Sequence, residues 1–495
     1  MALVLSIDAG TTGVRSFALD ERGNQVGLSY REFTQYFPAP GLVEHDAEEI
    51  WHAVRETLAE LYEQIRDRND SVAAIGITDQ RETVVAWSRS TGAPAHRAIV
   101  WQDRRTAATC DQLTNEGHLD LVRRRTGLVL DPYFSGTKMA WLLGPGGVPY
   151  NDDLAMGTID SWLIWKLSGG AAHVTDVTNA SRTMLYDIVD GVWSQQLCDV
   201  LGVPLAALAD VRPSSGRFAT TADTTVFGPG IPISGVAGDQ QAALFGQACF
   251  SPGMTKNTYG TGSFVLMNVG RTCPEPVEGL LTTIAWDLGD GPVYALEGAI
   301  FVTGAAIQWL RDGLGIIEDA AEVGPLAASV PDAGGVMFVP AFTGLGSPWW
   351  DPYARGTIVG LSRGTGRAEV ARAVVESIAL QTRDVVDAMS RAGGLDVAGM
   401  RVDGGAAVMD LLLQIQADQL GVPVSRPSVT ETTALGAAML AGLAEGVWTS
   451  LDDMTSAWQL DRQFTPGPDR TAADDLHRRW LQAVERSRAW SDAQG

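Results

Sequence analysis

The chain opens on an apolar, partly β-branched run, Leu3-Val4-Leu5-Ser6-Ile7, which predicts a buried strand with Asp8 at its far end. Gly10-Thr11-Thr12-Gly13 then predicts a tight reversal into a second strand, Arg15 to Leu19. Asp46 reads as a helix N-cap with Glu49 completing a capping box. Behind it, Ile50, Val54, Leu58, Leu61 and Ile65 recur at helical spacing. Val72 to Ile77 predicts a strand running into Thr78-Asp79-Gln80-Arg81-Glu82-Thr83, and Ala98 to Trp101 another running into Gln102-Asp103-Arg104-Arg105. Arg212 to Pro232, rich in Ser, Thr, Gly and Pro, reads as an exposed loop. After it, Ile233 to Gly238 predicts a small-residue strand ending at Asp239-Gln240-Gln241.

The second half keeps the alternation. Asn257-Thr258-Tyr259-Gly260-Thr261-Gly262-Ser263 repeats the chemistry of the opening turn, and Val370, Val374, Ile378, Gln381 and Val385 mark a long helix. Met400 to Gly405 predicts a strand ending in a glycine pair, followed by helices over Leu411 to Leu420 and Ala434 to Ala444. Gly436 and Gly442 give the last of these a face for close packing. Strands alternating with helices, with polar residues at strand ends, predict an α/β fold that binds ligands at those ends. A Gly/Thr turn in each half predicts two related domains closing on one ligand, residues 1–248 and 249–495, with the boundary near Gln247 to Pro252.

Length supports that division, since 495 residues exceed what one core organises. A hydrophobic content of 45% and a mean hydropathy of +0.03 fit a globular protein. A net charge of -23 and a pI near 4.6 argue against a nucleic-acid surface or an anionic membrane, so an anionic substrate must be held by local groups. Lysine occurs only at positions 138, 166 and 256, a bias that codon usage and salt adaptation explain equally well. Cys110, Cys198, Cys249 and Cys273 form no Cys-x-x-Cys pair and fit a reduced cytoplasm, and the six histidines have no metal-ligand spacing. No basic region precedes the first apolar run, which predicts no signal peptide, and Ala434 to Ala444 is too short to span a bilayer.

The opening turn aims backbone N–H groups and two hydroxyls into one concavity, which suits phosphate oxygens. Asp8 beside it becomes useful when Mg²⁺ lies between. No lysine follows a glycine, which excludes a Walker loop, and protein-kinase signatures are absent. What remains is a three-part phosphate grip: Asp8 with Gly10 to Gly13, then Gly260-Thr261-Gly262, then Asp403-Gly404-Gly405.

That order, together with Asp8-Ala9-Gly10-Thr11-Thr12, Thr78 to Thr83, Tyr133 to Lys138, Gly238 to Gly246 and Phe342 to Pro348, resembles the FGGY carbohydrate kinases of the actin-like ATPase superfamily. The resemblance runs end to end and is strongest to the branch that phosphorylates glycerol. It implies two actin-like (ribonuclease H-like) α/β domains with an active-site cleft between them, and in-line phosphoryl transfer from ATP to glycerol. It implies that Arg81, Glu82, Trp101, Tyr133, Asp239, Gln240 and Phe264 hold glycerol, with Asp239 the general base. On the nucleotide side it implies Thr11, Thr12, Gly13 and Arg15 in the first half, and Thr261, Gly304, Gln308, Gly405 and Met409 in the second. Asp8 and Asp239 are the implied Mg²⁺ partners, and a homo-dimer or tetramer the implied assembly. Ala9, Gly13 and Met409 depart from residues common in that branch, Met409 replacing an asparagine that contacts the nucleotide. The rival readings are a kinase for another polyol or ketose and a catalytically silent actin-like sensor. Some relatives bind fructose 1,6-bisphosphate through an arginine-bearing loop, and others are phosphorylated there on histidine. The matching loop here, Ala219 to Gly230, has no Arg, Lys or His, which predicts insensitivity to both.

Overall fold

The computed structural model describes residues 2–68 and 70–491. The opening apolar run forms β1 (Ala2–Ala9), paired antiparallel with β2 (Gly13–Asp20) so that Asp8 faces Arg15. Beyond β2 lies β3 (Gln25–Glu32), and on the other side of β1 run β4 (Ser71–Asp79) and β6 (Pro232–Gly238), both parallel, with β5 (Ser215–Thr220) at the edge. The sheet order is β5-β6-β4-β1-β2-β3. Leu3 to Ala9 is buried throughout because the central strand is covered on both faces.

The second half repeats the plan. Its strands are β7 (Met254–Tyr259), β8 (Ser263–Gly270), β9 (Leu281–Asp287), β10 (Pro292–Ile300), β11 (Gly399–Asp403), β12 (Val424–Pro427) and β13 (Leu460–Phe464), ordered β9-β10-β8-β7-β11-β12-β13. The core run β10-β8-β7-β11-β12 matches β3-β2-β1-β4-β6 in order and in strand direction. The Gly/Thr turn that follows β1 therefore has its counterpart after β7.

The helix predicted from Ile50 to Ile65 is α1 (Ala47–Ile65), with all five spaced residues buried. Asp46 caps it, accepting from the amides of Glu48 and Glu49 at 2.8 and 3.4 Å. The expected capping box does not form. The Glu49 carboxylate turns instead to the amide of Thr34 at 3.2 Å and the hydroxyl of Tyr36 at 2.5 Å, tertiary donors that outcompete the local one. Two further expectations need correction. Ser215–Thr220 is a strand, so only residues 213–214 and 221–231 of the Ser/Thr/Gly/Pro segment lie outside strands. Ala98–Ile99 is the whole of the next predicted strand, and Val100 and Trp101 turn out of it. That short strand belongs to a four-stranded sheet with Glu44–His45, Val84–Ser88 and Leu154–Thr158.

Helices α2 (Asp239–Gly246), α3 (Arg367–Gly393), α4 (Asp410–Leu420) and α5 (Thr432–Ala444) complete the frame. Although α5 follows β12 of the second sheet, it packs on β1, β4 and β6 of the first and against α2. Side chains would forbid this: a Cβ on Gly436 would lie 1.8 Å from the carbonyl oxygen of Ala242, and one on Gly76 2.1 Å from that of Ala437. The four cysteines are unpaired, and no helix among the described residues is long and apolar enough to cross a membrane.

Candidate active site

Where β4 ends, Gln80-Arg81-Glu82 turns across the junction of the two halves. Glu82 sits at φ 63, a left-handed conformation costly for a non-glycine residue and typical of functional sites. Arg81 and Glu82 are 2% and 1% exposed, so they are no surface pair, and their direct contact is a loose 3.7 Å. Arg81 spends its donors elsewhere. Nη1 donates to Glu297 Oε2 at 2.6 Å and Gln241 Oε1 at 3.2 Å. Nη2 donates to Tyr133 Oη at 3.1 Å and Glu297 Oε1 at 3.3 Å, and Nε lies 3.1 Å from Asp239 Oδ1.

Arg182 closes the network, with Nε on Glu82 Oε1 at 2.6 Å and Nη2 on Glu297 Oε1 at 2.8 Å. Two guanidiniums and two carboxylates thus neutralise one another in the interior, as buried charges must. Burial opposes ionisation of Glu297, but the guanidiniums of Arg182 and Arg81 outweigh it and hold its carboxyl down to about 2. At Glu82 burial prevails over the same two arginines, and its pKa is raised. Sequence reasoning missed Glu297, Arg182 and Lys256. The Lys256 ammonium donates to Gln240 Oε1 and to Thr258 Oγ1, and burial pushes it down to about 8. For Glu297 the available signal was a lone charge inside the apolar strand run Tyr294 to Ile300; Arg182 and Lys256 sit in polar stretches that give none.

Aromatic residues wall this floor. The Trp101 and Tyr133 rings meet edge-on at 5.6 Å, and the Trp101 indole donates to Thr11 Oγ1 at 2.9 Å. The buried Lys138 ammonium grips the carbonyls of Pro132, Tyr133 and Phe134 at 2.9, 2.6 and 2.9 Å, fixing the segment that carries Tyr133. Phe264, on β8, is half-buried against the apolar cluster containing Phe245 and Trp286.

Asp239 opens α2. Its Oδ1 takes the Gln240 amide at 2.7 Å and faces Arg81, while no bond to Oδ2 forms among the described residues. Beside the Gly10–Gly13 turn, Arg15 Nη1 bridges Asp8 Oδ2 at 3.1 Å and Glu431 Oε2 at 2.9 Å. Burial pushes the Asp8 carboxyl up to about 6, with Asp239 and Glu431 adding to the rise and Arg15 opposing it. Asp8 and Asp239 both stand at the ends of strands of the first sheet, and two carboxylates that repel each other there suit a divalent cation. No cage of three or more His, Cys, Asp or Glu ligands exists among the described residues.

Across the cleft, a cavity of about 720 Å³ is lined by Thr261, Gly304, Gln308, Gly405 and Met409, which brings together all five nucleotide-side residues predicted from the second half. Ile307, Pro325, Val408 and Leu411 supply apolar wall, and the volume suits a ligand of nucleoside size. Of its charged residues, Asp410 is neutralised by Arg426 and Arg462, and Arg311 by Asp312.

Known proteins share this arrangement. Residues 3–246 match the FGGY family of carbohydrate kinases, N-terminal domain, and residues 255–445 match its C-terminal domain. The chain is 54% identical to glycerol kinase 2 of Thermotoga maritima over 494 residues, 99% of each chain, and 52% identical to the glycerol kinase of Carboxydothermus hydrogenoformans over 98% of each. Among solved structures, the ADP complex of Plasmodium falciparum glycerol kinase superposes with a TM-score of 0.94 at 34% identity, covering 98% of both chains. The gluconate kinase of Lactobacillus acidophilus, at 22% identity and a TM-score of 0.87, shares the fold. The chain belongs to the FGGY family of carbohydrate kinases.

Proposed function

We propose that this enzyme transfers the γ-phosphoryl group of ATP to a primary hydroxyl of glycerol, giving sn-glycerol 3-phosphate and ADP. The observation that carries the reading is the buried pair Arg81 and Glu82 with the part-exposed Asp239 beside it, next to the Trp101–Tyr133 wall. A triol needs donors and acceptors for three oxygens and apolar contact for three carbons. Glu82, Arg81, Asp239 and Gln240 meet the first need; Trp101, Tyr133 and Phe264 meet the second. The similarity to glycerol kinases along the whole chain supports the same substrate pair.

ATP lies with its nucleoside in the cavity of Gly304, Gln308, Gly405 and Met409 and its phosphates between the turns at Thr11-Thr12-Gly13 and Gly260-Thr261. Asp239 Oδ2, the unbonded oxygen, takes the proton as the glycerol oxygen attacks phosphorus. The bond from phosphorus to the β,γ-bridging oxygen breaks in line, and catalysis is mostly positioning and charge stabilisation. Asp8 and Asp239 would hold Mg²⁺, which would supply charge neutralisation for the phosphoryl oxygens. Closure of the halves excludes water and limits idle hydrolysis of ATP. Four unpaired thiols suit a cytoplasmic setting, and a homo-oligomer is the expected assembly.

A coupled assay tests the reading with glycerol, dihydroxyacetone, xylulose and gluconate. Glycerol is expected to lead xylulose and gluconate by more than about a hundredfold in kcat/KM, because a site built on hydrogen bonds rejects substrates that leave its polar groups unpaired. Preference for either competitor, or no turnover of glycerol, overturns it.

Control by a bisphosphate is not expected. Arg217, just before the loop of residues 219–230, is held by both oxygens of Glu445, Nε–Oε1 at 3.1 Å and Nη2–Oε2 at 2.5 Å. The loop itself offers only backbone donors and hydroxyls, too little for two phosphates. Millimolar fructose 1,6-bisphosphate should leave the rate at subsaturating glycerol unchanged. A several-fold fall would show that Arg217 is released to bind it.

A further inference from the structure

In a planar trans peptide the C=O and the following N–H point in opposite directions, so tying a carbonyl from one side aims the next amide to the other. The Gly10–Gly13 turn is tied in this way. The carbonyl of Gly10 accepts from Gln80 Nε2 at 3.1 Å, and that of Thr11 from Gln35 Nε2 at 3.0 Å. The amides of Thr11 and Thr12 are therefore turned away from these glutamines, and they find no acceptor among the described residues. The counterpart turn uses the main chain for the same purpose. There the carbonyls of Gly260 and Thr261 accept from the amides of Gly304 and Ala305, each at 3.0 Å. Only the first turn depends on side chains, and both of those side chains meet on one residue.

That residue is His45, fully buried on the short strand Glu44–His45. Its Nδ1 lies 3.3 Å from Gln80 Nε2 and its Nε2 2.7 Å from Gln35 Oε1. The Thr83 hydroxyl donates to Gln80 Oε1 at 3.0 Å, which orients that amide with its nitrogen toward His45 and Gly10. Nδ1 must then accept, so Nε2 carries the single proton and donates it to Gln35. Every donor and acceptor of the three side chains is used in this arrangement, and the Phe33 ring braces the imidazole edge-on at 4.9 Å. Burial holds the imidazole down at about 4, so the ring stays neutral at ordinary pH.

We propose that His45 is a positioning residue for phosphoryl transfer: by locking Gln35 and Gln80 it turns the Thr11 and Thr12 amides toward the phosphates of ATP. The hydrogen bonds of His45 go to Gln35 and Gln80 and to none of Arg81, Glu82 and Asp239, so its main influence is expected on the nucleotide, with Trp101 the nearest link to the proposed glycerol site. The inference rests on reading the Gly10–Gly13 turn as a phosphate site.

Steady-state kinetics of the full-length enzyme test it with His45→Leu, which removes both bonds, and His45→Asn, whose amide offers one acceptor and one donor. His45→Leu should raise the MgATP KM about tenfold or lower kcat by as much, the scale of one or two neutral hydrogen bonds, with the glycerol KM held within twofold. His45→Asn should recover most of the loss. Gln35→Leu, at a half-buried position, should give the same split on a smaller scale and serves where His45→Leu does not fold. An unchanged MgATP KM and kcat in a folded variant, or glycerol and MgATP constants moving together, overturns the proposal. A wild-type enzyme inactive on glycerol would overturn the proposed function instead, so the two failures are distinct.

Discussion

Asp239→Asn is expected to lower kcat by about 10²–10⁴, the range that loss of a general base produces, or roughly 3–5 kcal/mol of barrier. The substitution is nearly isosteric. An asparagine oxygen still accepts from the Gln240 amide and still faces Arg81, as Asp239 Oδ1 does at 2.7 and 3.1 Å. What disappears is the unbonded Oδ2, the only part of the side chain free to take a proton. The loss should therefore fall on kcat, with the glycerol KM moving only a few-fold. Steady-state kinetics at saturating MgATP decide it, and a variant keeping more than half its wild-type kcat would remove Asp239 from the role of base. Because Asp239 is also read as a partner of Mg²⁺, titrating the variant with Mg²⁺ is informative. A kcat restored by excess metal would mean that the carboxylate acts through the ion.

The frame of the fold was legible wherever one periodicity ran long enough. Five apolar residues at helical spacing marked α1, and all five are buried. The Asp8 turn and its counterpart at Gly260 marked two halves whose central strands do share one order. Reading failed where tertiary contact overrode local chemistry. Ser215-Gly216-Arg217-Phe218-Ala219-Thr220 has the composition of a loop, and it becomes a strand only because β6 offers an unpaired edge. Glu49 has the spacing of a capping box, but Thr34 and Tyr36 claim its carboxylate.

The site divided along the same line. The nucleotide-side residues Thr261, Gly304, Gln308, Gly405 and Met409 do converge on one cavity, since turns after strands are local features that sequence displays. The partners of Arg81 are not local. Asp239 opens α2 and Glu297 lies on β10 of the second sheet, 216 positions away, so no spacing rule connects them. The resemblance named residues expected to meet substrate and assigned no role to those that hold them in place: Glu297, Arg182, Lys256, Lys138 and His45. Only Glu297 left a trace, a charge inside an apolar run.

Glu297→Ala is expected to have the second large effect, on stability and on glycerol together. Glu297 comes from β10 of the second sheet and clamps Arg81 of the first, so one carboxylate spans the two halves. Removing it takes away the carboxylate that both buried guanidiniums share, leaving Arg182 on Glu82 and Arg81 on the part-exposed Asp239. Breaking a buried ion pair in this way typically costs about 3–5 kcal/mol, because the charge left behind has lost both water and partner. For domains of this size each kcal/mol moves Tm by roughly 2–4 °C, so a fall on the order of 10 °C is expected. Freed from Glu297, the Arg81 guanidinium keeps Asp239, already 3.1 Å from Nε, while Nη1 and Nη2 lose their carboxylate and should shift within the space read as the glycerol site. The glycerol KM should then rise at least about tenfold while MgATP binding, on the far side of the cleft, stays within a few-fold. Glu297→Gln keeps acceptor and donor atoms in place without the charge, and its effects should be smaller in both respects. Differential scanning calorimetry and glycerol titration of the two variants test this together. A Glu297→Ala enzyme with unchanged Tm and unchanged glycerol KM would show that the network neither holds the halves nor positions Arg81.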